Sequence, residues 1–253
     1  MDIFDNSNDI RCPKIMQFRD IGCRYYLVYL CIIHQAHSTS NSYIREYSFI
    51  ISGMLYQATK RIIDIVGSIA GLAFTLLLTP FIALAIKFES KGPVFVSLPR
   101  VSKGKTIYIH KFRSMIQDAH AMKPSLAHLN ERRDGPFFKI RHDPRLTHVG
   151  KIIRKFRLDE FPQLWNVLKG ELSLVGPRPH EPGEVAHYPE RFRHIPKAKA
   201  GITGLSQVNG ASELPFLKEL EYDSYYAHHQ SLVLDLKILG KTLFIFFFDP
   251  TAV

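Results

Sequence analysis

Cysteine occurs only as Cys12, Cys23 and Cys31, and the 222 residues after Cys31 have none. An odd number at these spacings excludes a complete disulfide framework and matches no metal-binding pattern. The cysteine-free part therefore suits a reducing compartment. No convincing signal-peptide pattern is expected here: the apolar patch Tyr25 to Ile33 follows acidic and polar residues, and no small-residue cleavage site is obvious after it. No zinc-finger spacing, basic zipper or aromatic RNA-binding motif is present, which argues against nucleic acid as a partner. No internal repeat is evident. Acidic residues are the scarcer charge, 23 Asp and Glu against 33 Lys and Arg, a formal net charge of +10. That balance points to anionic lipid, phosphorylated substrates, or both.

Charge is absent altogether from Ile65 to Ile86, apart from which no comparably long apolar run stands free of it. Such a stretch ordinarily reads as a membrane-spanning helix. Pro80 lies inside it, lacks an amide hydrogen and clashes with the preceding turn, so the helix should bend or break there. The part before the break, Ile65 to Thr79, would be about 22 Å long, short of a hydrocarbon core of roughly 30 Å. Both flanks are basic, Lys60 and Arg61 before and Lys87 and Lys91 after, which favours the cytoplasmic side at both ends. A helix that dips into one leaflet, kinks at Thr79-Pro80 and returns fits all of this, with the Thr79 hydroxyl or a neighbour satisfying freed backbone groups. A plain spanning helix with a tolerated proline fits the segment equally well.

Three regions are expected. Residues 1–53 mix Asn, Ser, His and Cys without a sustained apolar period and read as a poorly structured extension. Met54 is a candidate native start, with the preceding stretch an upstream read-through or tail. Residues 54–88 form the anchor, with Arg61, Asp64 and Ser68 as a polar stripe at its interface. Residues 89–253 carry the chemistry. There, residues 92–98 and 106–112 read as a hairpin turning at Lys103-Gly104-Lys105, and 114–131 read as helix. An amphipathic helix is expected over Val149 to Phe156 and another over Phe161 to Leu168. A proline-framed loop follows from Gly170 to Pro179, then a helix over Ser212 to Gln230. Leu232 to Phe248, apolar but broken by Asp235, Lys237 and Lys241, suits a helix lying in the membrane interface.

Asp159 and Glu160 are adjacent carboxylates ahead of a helix. A helix cap accounts for one acid; two neighbours can divide nucleophilic or metal-binding work from proton transfer. In Gly176-Pro177-Arg178-Pro179, prolines on both sides restrict Arg178, and a rigidly held guanidinium can grip phosphate with two parallel bonds. Alone, a solvated surface arginine explains it as well. Lys111 and Arg113 alternate to one face at the end of the second strand, suited to a diphosphate or simply to solvent. Gly201-Ile202-Thr203-Gly204 is a glycine-framed turn that could bring backbone amides to an anion, or a plain loop. His142, His228 and His229 read as surface residues.

Together, KFRSM (111–115), DPRLTHVGKIIRKFRLDEFPQLWNVLKGELSLVGPRP (143–179) and GITGLSQVNG (201–210) resemble the bacterial sugar transferases. These are the monotopic polyprenyl-phosphate sugar-1-phosphate transferases that begin exopolysaccharide, capsule or O-antigen synthesis. The similarity runs from about Lys60 to about Phe247. It favours re-entry over spanning, with Thr79 and Pro80 as the membrane break. It implies an α+β fold: a re-entrant membrane helix followed by a mostly helical catalytic domain with a short β-hairpin and interfacial amphipathic helices. It implies Asp159 as nucleophile on a UDP-sugar, releasing UMP, with undecaprenyl phosphate taking the sugar phosphate from the aspartyl intermediate. Glu160 would handle protons or orient the pair. Lys111, Arg113, Gln163, Arg178, Gly201, Thr203 and Gly204 would contact phosphate or substrate. Mg2+ would neutralise the diphosphate near Asp159. The resemblance places the protein at the cytoplasmic face of a bacterial inner membrane, and a homodimer is compatible with it. Leu98, Ser102, Ala200, Ser206 and Ala211 depart from the family pattern. They motivate the alternative of a catalytically silent scaffold for glycan assembly.

Overall fold

The computed structural model describes residues 41–210 and 213–248 of the chain. By its contacts the chain divides into two compact units, Met1–Gly53 and Met54–Val253. The expectations for Tyr25–Ile33 and for most of residues 1–53 lie outside the described residues, as does Ala211. Helix α1, Asn41–Glu89, runs without interruption through Pro80. The expected break of the helix is therefore not seen. Pro80 cannot donate to the Leu76 carbonyl. The Thr79 hydroxyl donates to the Thr75 carbonyl at 2.7 Å and the Thr75 hydroxyl to Gly71 at 2.7 Å, so hydroxyls reinforce the turns just before the proline.

The polar stripe of α1 faces protein rather than the lipid interface. Asp64 is buried and accepts from the Ser173 hydroxyl at 2.9 Å and the Leu174 amide at 2.8 Å. Lys60 bonds Asp235 at 2.7 Å, and Tyr56 bonds the same carboxylate at 3.0 Å. Its apolar residues behave in the opposite way: Val66, Leu76, Leu77, Phe81 and Phe88 are all exposed.

Strands β1, Phe95–Ser102, and β2, Lys105–Phe112, form an antiparallel hairpin. The turn residues Lys103 and Gly104 both have positive φ, 53° and 68°, the backbone twist that suits a two-residue hairpin loop. The first strand starts and ends later than its sequence pattern indicates. The expected helix over 114–131 is absent: turns and one short 3-10 segment, Ala127–Leu129, replace it. Asp118 at φ 59° and Pro124 both interrupt helical pairing there, and the Ala119 carbonyl instead accepts from Arg145.

Helix α2, His148–Lys155, is capped by Thr147, whose hydroxyl accepts from the Gly150 amide. A 3-10 turn, Leu158–Gln163, runs directly into α3, Leu164–Lys169. The expected loop at 170–179 contains β3, Ser173–Val175, which pairs in parallel with β4, Gly201–Thr203. The short helices α4, Pro182–Val185, and α5, Leu205–Val208, flank this pair. The long helices α6, Phe216–His228, and α7, Leu232–Phe248, close the unit. The fold is thus mixed, mostly helical, with few strands and one long apolar helix. Its core is split into small clusters, of which Ile86, Phe112 and Ile153 join α1, β2 and α2.

Candidate active site

The dyad sits where three elements meet. Arg157 adopts a left-handed backbone, φ 53°, which turns the chain sharply from the end of α2 into the 3-10 segment. Asp159 and Glu160 fall in its first turn. Asp159 is only 6 % exposed. Strand alternation then matters: Phe112 packs into the core, so its neighbour Lys111 points the other way. The Lys111 ammonium bonds Glu160 Oε1 at 2.5 Å and lies 4.0 Å from Asp159 Oδ2.

The two carboxyls are pushed apart in acidity. Burial raises Asp159, against the attraction of Lys111, and the neighbouring Glu160 charge adds to the rise. Burial works the same way on Glu160, but Lys111, Arg178 and Arg157 outweigh it and hold that group well below its ordinary value. Neighbouring acids with opposed shifts are the pattern expected of separate roles.

Arg178 brings its charge to Glu160, with its side chain 37 % exposed and its Nε 3.7 Å from Glu219 Oε1. Arg113 is placed differently from Lys111. It lies just beyond β2, buried, and donates to the Ser90 carbonyl at 2.8 Å, the Ser90 hydroxyl at 3.0 Å and the Lys91 carbonyl at 2.5 Å. Its guanidinium fastens the chain leaving α1, and the geometry does not bring it to the dyad. Gln163 is buried in the dyad's own 3-10 segment, and its amide has no hydrogen-bond partner among the described residues.

Gly201, Thr203 and Gly204 are not gathered at the dyad either. The Gly201 amide donates to the Pro177 carbonyl at 2.9 Å and the Thr203 hydroxyl pairs with Thr242 at 2.7 Å. A side chain on Gly201 would come within 2.0 Å of the Gly176 nitrogen. These glycines let two short backbones touch and so fix the strand that precedes Pro177-Arg178-Pro179.

Sequence reasoning passed over the groups behind Arg178. Asp223 and Glu219, one turn apart on α6, are 0 % and 1 % exposed. Burial pushes Asp223 up to about 6, whereas His180 and Arg178 keep Glu219 low against the same burial. Their i, i+4 spacing and their place on an otherwise core-facing helix were the available signal. Arg154 was also missed: its Nε donates to Ser114 at 2.8 Å while its charge opposes the rise of Asp159.

Among the described residues no three His, Cys, Asp or Glu side chains converge to hold a metal. Two adjacent carboxylates remain. That donor set matches magnesium, which commonly takes one or two carboxylates and completes its shell with water and substrate phosphates.

The sequence profile of the bacterial sugar transferases matches residues 55–249. An undecaprenyl-phosphate galactose phosphotransferase of Salmonella typhimurium is 38 % identical over 190 residues, covering 72 % of this chain and 39 % of that protein. An undecaprenyl-phosphate glucose phosphotransferase of Komagataeibacter xylinus is 37 % identical over 196 residues, 73 % of this chain and 35 % of its own length. The exopolysaccharide production protein ExoY of Sinorhizobium fredii is 33 % identical over 194 residues, 73 % of this chain and 84 % of its length. The chain thus spans about two fifths of the first two of these relatives and most of the third.

Proposed function

This chain belongs to the bacterial sugar transferase family, and on that premise we propose that it transfers a sugar 1-phosphate from a UDP-sugar to undecaprenyl phosphate. The observation that carries the reading is Asp159, a buried carboxylate paired with an ionised neighbour and one lysine. A carboxylate oxygen of Asp159 attacks the sugar-linked phosphorus. The bond from that phosphorus to the bridging oxygen breaks, and UMP leaves. An oxygen of undecaprenyl phosphate then attacks the same phosphorus and releases Asp159. Glu160 stays ionised and keeps Lys111 oriented over both carboxyls. Lys111 and Arg178 oppose the charge that builds on the phosphoryl oxygens. Gln163 offers an amide to the same region. Magnesium, held by Asp159 with Glu160 beside it, would neutralise the donor's diphosphate.

The anchor supports a monotopic arrangement at the cytoplasmic face of the inner membrane. Both ends of its apolar stretch bond residues of the same catalytic unit. Lys60 holds Asp235, and Glu89 accepts from the His148 and Val149 amides. A spanning helix would part those ends by the bilayer thickness, roughly 30 Å. The 39 residues from Ile51 to Glu89 would extend roughly 58 Å if straight; re-entry then takes the form of a bend at Thr79-Pro80, where one backbone hydrogen bond is missing, within a helix that stays continuous.

Two of the departures from the family pattern, Ser102 and Ser206, make hydrogen bonds that hold the fold together; the scaffold alternative is decided by activity. The Ser102 hydroxyl bridges the Glu171 carbonyl and the Ala200 amide, and Ser206 bonds Asp223. The deciding experiment supplies the full chain in lipid nanodiscs with UDP-sugars carrying a labelled β-phosphate. Label held covalently on Asp159, chased off by undecaprenyl phosphate with UMP release, is expected. Turnover without label on that side chain overturns the covalent route, and no UMP from any donor in a panel overturns the transferase reading.

A further inference from the structure

In Pro177-Arg178-Pro179 the two prolines have no amide hydrogen, so the Arg178 N–H is the only backbone donor of the three residues. It is donated to Asp223 Oδ2 at 3.0 Å, and the other oxygen of Asp223 accepts from the Ser206 hydroxyl at 2.7 Å. One helical turn earlier, Glu219 Oε1 lies 3.1 Å from His180 Nε2 and 3.7 Å from Arg178 Nε, while its Oε2 lies 3.5 Å from Arg132. His180 is fixed in turn by the Tyr188 hydroxyl and by Phe137 stacked on its ring at 4.5 Å. None of the described residues accepts a hydrogen bond from the two terminal nitrogens of Arg178.

We propose that Glu219 and Asp223 are positioning residues for Arg178: Asp223 holds its backbone, and Glu219 holds its Nε side and His180 two residues on, leaving the two terminal nitrogens directed at an incoming phosphate. Such a device has a physical rationale. A long, partly exposed arginine loses rotamer freedom when it grips an anion. Anchoring its base beforehand removes part of that cost, and a planar fork gains most from being aimed. Two carboxylates so deeply buried are otherwise costly. Here each is matched by donors that converge on the Pro-Arg-Pro loop.

This inference rests on Arg178 meeting substrate phosphate, as proposed above, but its test does not require turnover. Binding of inorganic pyrophosphate to the full chain in nanodiscs is measured for wild type, Glu219→Gln, Arg178→Ala and the double variant, with thermal unfolding alongside. Glu219→Gln should weaken binding about 10-fold in wild type and less than about 2-fold when Arg178 is already alanine, the non-additivity that marks one functional unit. Asp223→Asn retains an oxygen for the Arg178 amide and should lose several-fold less than Asp223→Leu. If Glu219→Gln fails to fold, Ser206→Ala, which removes only the hydroxyl that orients Asp223, carries the same cycle with a smaller effect. Equal losses in both backgrounds, or binding that tracks only the unfolding temperature, overturn the proposal. Loss of UMP release with the coupling intact would instead count against the transferase reading alone.

Discussion

As the proposed nucleophile, Asp159 combines two demands that conflict. A nucleophile must be ionised, yet burial disfavours the charge. Rate should therefore fall as pH drops through the raised value of Asp159. Lys111 is the largest influence opposing that rise, so Lys111→Met should lower turnover roughly 100-fold and move the acid limb of the rate profile to higher pH. A pH series of UMP release reads both. The same conflict has a sign for stability. A carboxyl raised in the folded state makes folding less favourable as pH climbs above its ordinary value. Asp159→Asn should thus melt at a higher temperature than wild type near neutral pH while losing turnover by about 1000-fold or more. The dyad and Lys111 were readable in the sequence because adjacency and strand parity place them. Arg113 obeyed the same parity rule on paper, but it follows the last paired residue of β2, where alternation no longer dictates direction and two carbonyls leaving α1 claim its guanidinium.

Elements with strong apolar pattern and clear ends were legible, and α7 covers the expected Leu232–Phe248. The 114–131 segment was not, because its long side chains favour a helix locally while Asp118 and Pro124 interrupt it, and Arg145 takes a carbonyl that a helix would have used. The pairing of β3 with β4 was hidden for a different reason: three-residue strands leave too little pattern to detect, and their glycines read as a turn. Elements are joined by single polar contacts whose removal should be felt. Asp64→Ala leaves the Ser173 hydroxyl and Leu174 amide without their acceptor and should cost about 2–5 kcal/mol. Glu89→Ala removes the carboxylate that accepts from the first amides of α2 and should cost about 1 kcal/mol. Chemical denaturation in detergent micelles distinguishes the two by size.

For the whole molecule, the arrangement of α1 makes a sharp prediction about sidedness. Single cysteines at Gln57 and Lys91, with Cys12, Cys23 and Cys31 changed to serine, should both react with an impermeant thiol reagent from the cytoplasmic face. Labelling from opposite faces would show a spanning helix. The exposed apolar flanks of α1 and α7 should also keep the protein in the membrane fraction at 1 M salt, where attraction by charge alone is screened within about 3 Å.

Arg61 gives this arrangement an order in time. Its guanidinium donates to the Val167 and Leu168 carbonyls at 2.7 Å each, at the end of α3, and Lys60 is engaged by Asp235. Those residues are synthesised more than a hundred positions later. Until those later residues are made, neither cation has these partners; once the rest of the polypeptide emerges, the same two charges become the latch that closes it down. Orientation must accordingly be settled before maturation finishes, and a late inversion of the anchor would have to unfasten that latch first.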